Sequence, residues 1–180
     1  MYERLGRIFS TKKSNLVALD KSFRCTNQIL RFSMKLLPQA VEIKSFNRDG
    51  DEPGVHTAPD RPALCEQIAS EAEFCLQKGY RSIGLICKTE KNALALYKQV
   101  KDQMDVQLVK NGNTAELQGA LIMPVYMAKG LEFDVVFVCD AGFGNYRSED
   151  DKKLLYIACT RALHRLHLFS LGEASPLLRD

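Results

Sequence analysis

The sequence predicts a single α/β domain of three layers, a mostly parallel central sheet with helices on both faces. Three observations carry this. Strings such as Ile83–Cys87 and Val135–Cys139 are apolar without a break, as in strands covered on both faces. Stretches with apolar residues at helical spacing separate them, and that alternation builds parallel sheets. The 180 residues are 46% hydrophobic, enough to bury one core, and contain no repeat or low-complexity tract.

Leu16–Leu19 is a short apolar run, followed by a polar knot and a helix from about Asn27 to Leu37 that Pro38 stops. Val41–Phe46 reads as a strand, and the string R-D-G-D-E-P-G after it as a turn or loop. Pro62 suits the first position of a helix running to Lys78, with Leu64, Ile68, Ala72 and Cys75/Leu76 as its stripe and Gly79 as its stop. Ile83–Cys87 is a buried strand. Thr89 then caps a helix to about Met104, with Ala93, Leu96/Tyr97, Val100 and Met104 inward. Val106–Val109 and Ala120–Val125 are strand candidates on either side of N-G-N, and Val135–Cys139 is the most apolar strand. A last helix is expected from about Glu149 to His164, and a last strand over Leu166–Phe169.

Composition narrows the class. No apolar run approaches the roughly 20 residues a bilayer requires, and the N-terminus lacks a secretory apolar core, so a cytoplasmic protein with no membrane partner is expected. Cys25, Cys65, Cys75, Cys87, Cys139 and Cys159 include no C-x-x-C pair, and three end apolar strings; they read as reduced, buried thiols, not as a zinc site or disulfide framework. The net charge of +3 is uneven: residues 1–48 carry ten basic and three acidic side chains, and residues 49–180 fifteen and nineteen. A basic N-terminal third faces either phosphate or solvent.

Ligands of such sheets bind outside the carboxyl ends of strands, and three strings expected there hold concentrated chemistry. In S-F-R-C-T, Ser22–Thr26, Arg24 lies near a helix N-terminus. That position is poor for a cation unless an anion joins it or a carboxylate such as Asp20 pairs with it. In Y-M-A-K-G-L-E-F-D, Tyr126–Asp134, four polar or backbone-special residues crowd between apolar strands. Gly130 permits close backbone approach, and Glu132, flanked by Leu131 and Phe133, is a candidate hydroxyl acceptor. In the final helix Ser148 and Asp151 resemble a capping box, and the acidic first turn suits the dipole. Leu155, Ala158, Cys159 and Ala162 form its stripe, with Arg161 on one flank and Tyr156 and Thr160 on the other.

In order and content, S-F-R-C-T, A-K-G-L-E-F-D and L-L-Y-I-A-C-T-R-A-L resemble motifs IV, V and VI of UvrD-like superfamily 1 helicases. The similarity runs from about Leu19 to Ser170. It implies a RecA-like second motor domain over residues 16–180, a P-loop NTPase-type fold lacking the P-loop, with residues 1–15 as the remainder of a linker from an N-terminal motor domain. It implies that Phe23 stacks on adenine and that Arg24 and Arg161 reach the γ-phosphate as arginine fingers. Glu132 would accept the ribose hydroxyl, and Gly130 would bring the backbone close to the nucleotide. Tyr126, Lys129, Tyr156 and Thr160 are candidates for nucleic-acid contact or coupling. All three segments should meet at one edge of the sheet.

The resemblance also implies ATP and Mg²⁺ held mainly by that N-terminal RecA-like domain, and single-stranded DNA as partner. Two departures bear on this. Where many relatives have T-x-H, this chain has Pro124 and Tyr126, and proline offers neither hydroxyl nor amide hydrogen. The spacing of about a hundred residues between Arg24 and Ala128 leaves no room for a large insertion. Both features are similar to the HelD branch, whose motors act on RNA polymerase. No G-x-x-x-x-G-K-[ST] string occurs, and the pair Asp51-Glu52 lies in a Gly/Pro turn, so no metal-holding residues are expected here. The expected function is a helicase motor half, inactive alone as an ATPase; the alternatives are ATP-driven remodelling of a protein such as RNA polymerase, or a non-catalytic binding module.

Overall fold

In the computed structural model the described residues are 24–37, 48–109 and 118–178, with the backbone alone of 21–22 and 44–45. The strands are β1 (Lys21–Ser22), β2 (Lys44–Ser45), β3 (Gly54–Ala58), β4 (Ser82–Cys87), β5 (Val106–Leu108), β6 (Gly119–Pro124), β7 (Phe133–Cys139) and β8 (Ala162–Leu171). The helices are α1 (Asn27–Met34), α2 (Arg61–Gln77), α3 (Glu90–Val100) and α4 (Glu149–Cys159), with a 3₁₀ turn over Pro176–Leu178. β1 and β2 pair in parallel as a separate two-stranded unit. The other six form one sheet in the order β3-β8-β7-β4-β6-β5, and every pairing in it is parallel.

Each helix starts where a short polar side chain accepts an otherwise orphaned backbone N–H. Thr26, Asp60, Thr89 and Ser148 are the caps, accepting from Ile29, Ala63, Asn92 and Asp151. At α4 the Asp151 carboxylate also accepts from the Ser148 N–H, which completes the predicted capping box.

The central strands bury nearly every side chain because alternate residues enter two different cores. Ile86, Met123, Val136, Val138, Leu166 and Leu168 pack under α1 and α4 with Ile29, Leu30, Leu155 and Ala158. Ile83, Leu85, Ile122, Val135, Phe137 and Phe169 pack under α2 and α3 with Leu64, Ile68, Ala93 and Leu96. Phe133 belongs to the first core although it is odd-numbered like Val135. An irregularity in β7 between these two residues shifts the pleat by one.

Several expected boundaries differ. The last helix ends at Cys159, not His164, because the Arg161 carbonyl accepts the Phe133 N–H at 3.0 Å and turns the chain into the sheet. Ala162 and Leu166–Phe169 therefore lie in one ten-residue strand. β3 begins at the last residue of the string read as a turn or loop and continues through residues assigned to no element; it is an edge strand pairing only with β8, with Val55 45% exposed. The first helix stops at Met34 and the third at Val100, with turns after both. Arg61, not Pro62, opens α2, Gln77 closes it, and only Lys44–Ser45 of the Val41–Phe46 strand is described. The Leu16–Leu19 run, residues 1–15 and the N-G-N string lie outside the described residues.

Candidate functional site

The connection Val125–Glu132 crosses one face of the sheet, from the carboxyl end of β6 to the amino end of β7. It is folded by short turns: the N–H groups of Met127, Ala128 and Leu131 donate to the carbonyls of Pro124, Val125 and Ala128. Ala128 is fully buried at mid-span. Gly130 follows with φ +88°, a left-handed conformation that a Cβ would strain, although a Cβ would find nothing within 4 Å. Handedness, not crowding, is the reason for glycine here.

Glu132 leaves this connection beside the start of β7 and ion-pairs with Arg24, Nε to Oε1 at 2.5 Å. Both side chains are about two-fifths exposed, so the pair contributes little to stability. Arg24 stands between β1 and α1. Arg48 holds that segment in place: its guanidinium donates to the carbonyls of Arg24, at 3.2 Å, and of Leu163, and its own carbonyl accepts the Asn27 N–H at 2.9 Å.

Arg161 follows the α4 C-cap and precedes β8. Its Nε donates to the Ile157 carbonyl at 3.1 Å, Nη1 to the Leu131 carbonyl at 3.3 Å, and Nη2 to the Thr160 hydroxyl oxygen at 3.2 Å. These acceptors are neutral. Burial, and then the neighbouring Arg24 charge, make protonated Arg161 less favourable than usual, with Glu132 opposing them. A half-buried cation held by neutral oxygens, beside a second cation that shares the nearby carboxylate, has the charge and donors that can receive an anion.

Arg24, Glu132 and Arg161 thus share one rim of the sheet. The rim is the amino end of β7 and β8, opposite to the carboxyl-end position that open parallel sheets usually use. The reversal arises because Glu132 and Arg161 each immediately precede a strand, after a crossover that has already traversed the sheet.

The other singled-out residues divide. Thr160 is the buried C-cap of α4, its hydroxyl donating to the Tyr156 carbonyl at 2.8 Å and its oxygen accepting from Arg161. Tyr156 is half-buried, near Arg161. Lys129 is exposed. Tyr126, 56% exposed, stands just past the carboxyl end of β6, on the opposite rim. Phe23 lies outside the described residues. Arg48 is missed by sequence reasoning, since a lone arginine beside a turn carries no periodic or motif signal. Asp134, by contrast, closes the motif string but serves the fold, accepting the Arg81 and Ser82 N–H groups at 2.7 and 3.2 Å.

Comparisons with known proteins place this geometry in context. The family model described as UvrD-like helicase C-terminal domain matches residues 119–169, from β6 into β8. The crystal structure of the C-terminal domain of a possible DNA helicase from Lactobacillus plantarum WCFS1 is 34% identical. That match has a TM-score of 0.76 and covers 88% of this chain and 92% of that one. Two structures of an arterivirus helicase, nonstructural protein 10, match at 13% and 14% identity with TM-scores of 0.48 and 0.45, the second solved with DNA. They cover 83% and 85% of this chain and about a third of theirs. No curated protein matches the chain.

Proposed function

Since this chain belongs to the UvrD-like helicase C-terminal domains, we propose that it is the second motor domain of an ATP-dependent, cytoplasmic DNA helicase or translocase. ATP and its Mg²⁺ would be held mainly by an N-terminal RecA-like partner domain, with this chain closing over the triphosphate. The observation that carries the reading is the juxtaposition of Arg24, Glu132 and Arg161 on one rim.

The proposed roles follow from their partners. Arg161 is positioned in advance by three neutral acceptors, so it meets developing negative charge on the γ-phosphate with little reorganisation. Arg24 is the movable member. Its pairing with Glu132 has to open for the guanidinium to reach phosphate and the carboxylate to accept a ribose hydroxyl. One binding event would thereby switch both residues, coupling nucleotide to closure. Gly130 keeps the backbone bare beside them, and Phe23, from the same string as Arg24, is proposed as the adenine platform. Single-stranded DNA would run along the opposite rim, by Tyr126.

The test is ATP hydrolysis by the complete two-domain protein. Arg161→Ala should lower turnover about a thousandfold, the usual contribution of an arginine finger, while the partner domain still binds ATP. Unchanged turnover would instead favour a non-catalytic binding module.

A second reading rests on Pro124 and Tyr126. Pro124 is buried as the last residue of β6, so only Tyr126 of the pair faces outward. That surface fits a HelD-like motor that remodels RNA polymerase, with DNA secondary. Stimulation of the ATPase by single-stranded DNA alone supports translocation; stimulation by polymerase without DNA supports remodelling.

A further inference from the structure

A second cluster of chemistry lies away from the rim, where α2 packs against β8 and β3. Glu71 and Cys75, four apart on α2, project on the same side. His167 rises toward them from the middle of β8, and one donor atom from each of the three lies within 4.8 Å of the others. His167 Nε2 is 3.5 Å from Glu71 Oε1, and Cys75 Sγ is 3.7 Å from the same oxygen. Tetrahedral zinc, with bonds of about 2.0–2.3 Å, requires donor-to-donor edges of about 3.3–3.7 Å. Two edges therefore have coordinating lengths already, and the third, between Cys75 and His167, is no longer than 4.8 Å.

We propose that Glu71, Cys75 and His167 form a binding site for a borderline-soft divalent transition ion, zinc above all, with a fourth position open to water. The donor set selects the class. A thiolate and an imidazole favour zinc and its neighbours over magnesium or calcium, which take oxygen. A carboxylate and a thiolate neutralise a dication. The nearby cation, Arg165, lies 3.3 Å from Asp51 and also against the Cys75 sulfur, where it favours the thiolate that an ion requires.

The surroundings fit a ligating histidine. His56 Nε2 lies 2.9 Å from His167 Nδ1, the outer partner that fixes tautomer and ring orientation so that Nε2 presents its lone pair to the ion. Gly54, opposite His167 in the β3–β8 pairing, leaves room for that contact: a Cβ there would fall 2.7 Å from His56 Nε2 and 3.1 Å from His167 Nδ1. A cavity of about 410 Å³, lined by His56, Gln67, Ser70, Glu71 and Phe169 among others, reaches the cluster at Glu71, while Cys75 and His167 lie buried behind it. Binding of the ion would displace the Cys75 thiol proton to solvent. The site would clip α2 to β8, beside the edge strand, and is independent of the motor reading.

Titration of the reduced chain with Co²⁺ tests it. The expected result is one equivalent bound, with a thiolate-to-cobalt charge-transfer band and tetrahedral visible absorption, both abolished by Zn²⁺. At a hundredfold excess over its Kd, Zn²⁺ should raise Tm by roughly 5–10 °C, with no rise from Mg²⁺. Cys75→Ser should lose the charge-transfer band. Absence of that band in the unsubstituted chain overturns the proposal without relying on a variant, and so does its persistence in Cys75→Ser.

Discussion

Asp134 has one carboxylate oxygen shared by two backbone N–H groups, while its own N–H donates to the Ser82 hydroxyl at 2.9 Å. These contacts lock the start of β7 to the start of β4 at the irregularity that turns Phe133 into the other core. Asp134→Ala leaves the partly buried Ser82 N–H unmet, at about 1–3 kcal/mol for such a loss, and the Arg81 N–H to solvent. It should lower Tm by roughly 5 °C in thermal unfolding without changing the Arg24–Glu132 pair. At this scale the sequence is readable where a motif string exists. Arg24 and Glu132 are 108 positions apart, and no periodicity joins them; their association rests on resemblance. Glu71, Cys75 and His167 have no such string. Cysteine spacing rules look for cysteine pairs, and this cluster has a single cysteine with ligands from two elements, so only tertiary packing assembles it.

Among elements, α4 carries the heaviest polar start. The Asp151 carboxylate completes the Ser148 capping box, accepts the Arg147 N–H at 2.8 Å and pairs with Lys88 at 2.7 Å, and Lys88 also donates to the Asn145 carbonyl. Burial pushes this carboxyl up, but the Arg147 and Ser148 backbone donors and the Lys88 ammonium outweigh it, so the group is held well below the usual carboxylate range. A depressed acid stabilises the fold above its unfolded pKa, about 4. That contribution is complete at neutral pH and lost progressively as the medium is acidified below about pH 4. Asp151→Asn should flatten that acid limb in denaturant titrations at successive pH values, and Ser148→Ala should cost about 1 kcal/mol at pH 7. Caps of this kind are local, which is why Thr89 and Ser148 can be read from sequence. Element ends are harder. Helical spacing continues past Cys159, and only the hydrogen bond from Phe133, nearly thirty residues earlier, decides that the chain turns into β8. β3 is equally hidden: its residues alternate half-buried and exposed along a sheet edge, without the apolar run that marks an inner strand.

For the molecule as a whole, the layered parallel sheet follows from strings buried on both faces, and this part of the prediction needed no tertiary information. The rim carrying the arginines did. A general rule for open sheets points to the carboxyl ends, and the crossover geometry reverses it. The same rim view predicts that the isolated chain does not hydrolyse ATP above background, because a pair of guanidiniums and a carboxylate stabilise charge but neither cradle a triphosphate nor activate water. A coupled-enzyme assay on the purified chain checks this, and robust turnover would contradict the finger assignment.

The Val125–Glu132 connection has a mechanical consequence. Its exposed ends, Tyr126 and Glu132, lie at opposite rims, and Ala128 is fully buried between them. Under the proposed roles, a displacement of the carboxylate at one end would be passed to the phenol at the other along one stretch of peptide, with no relay of side chains.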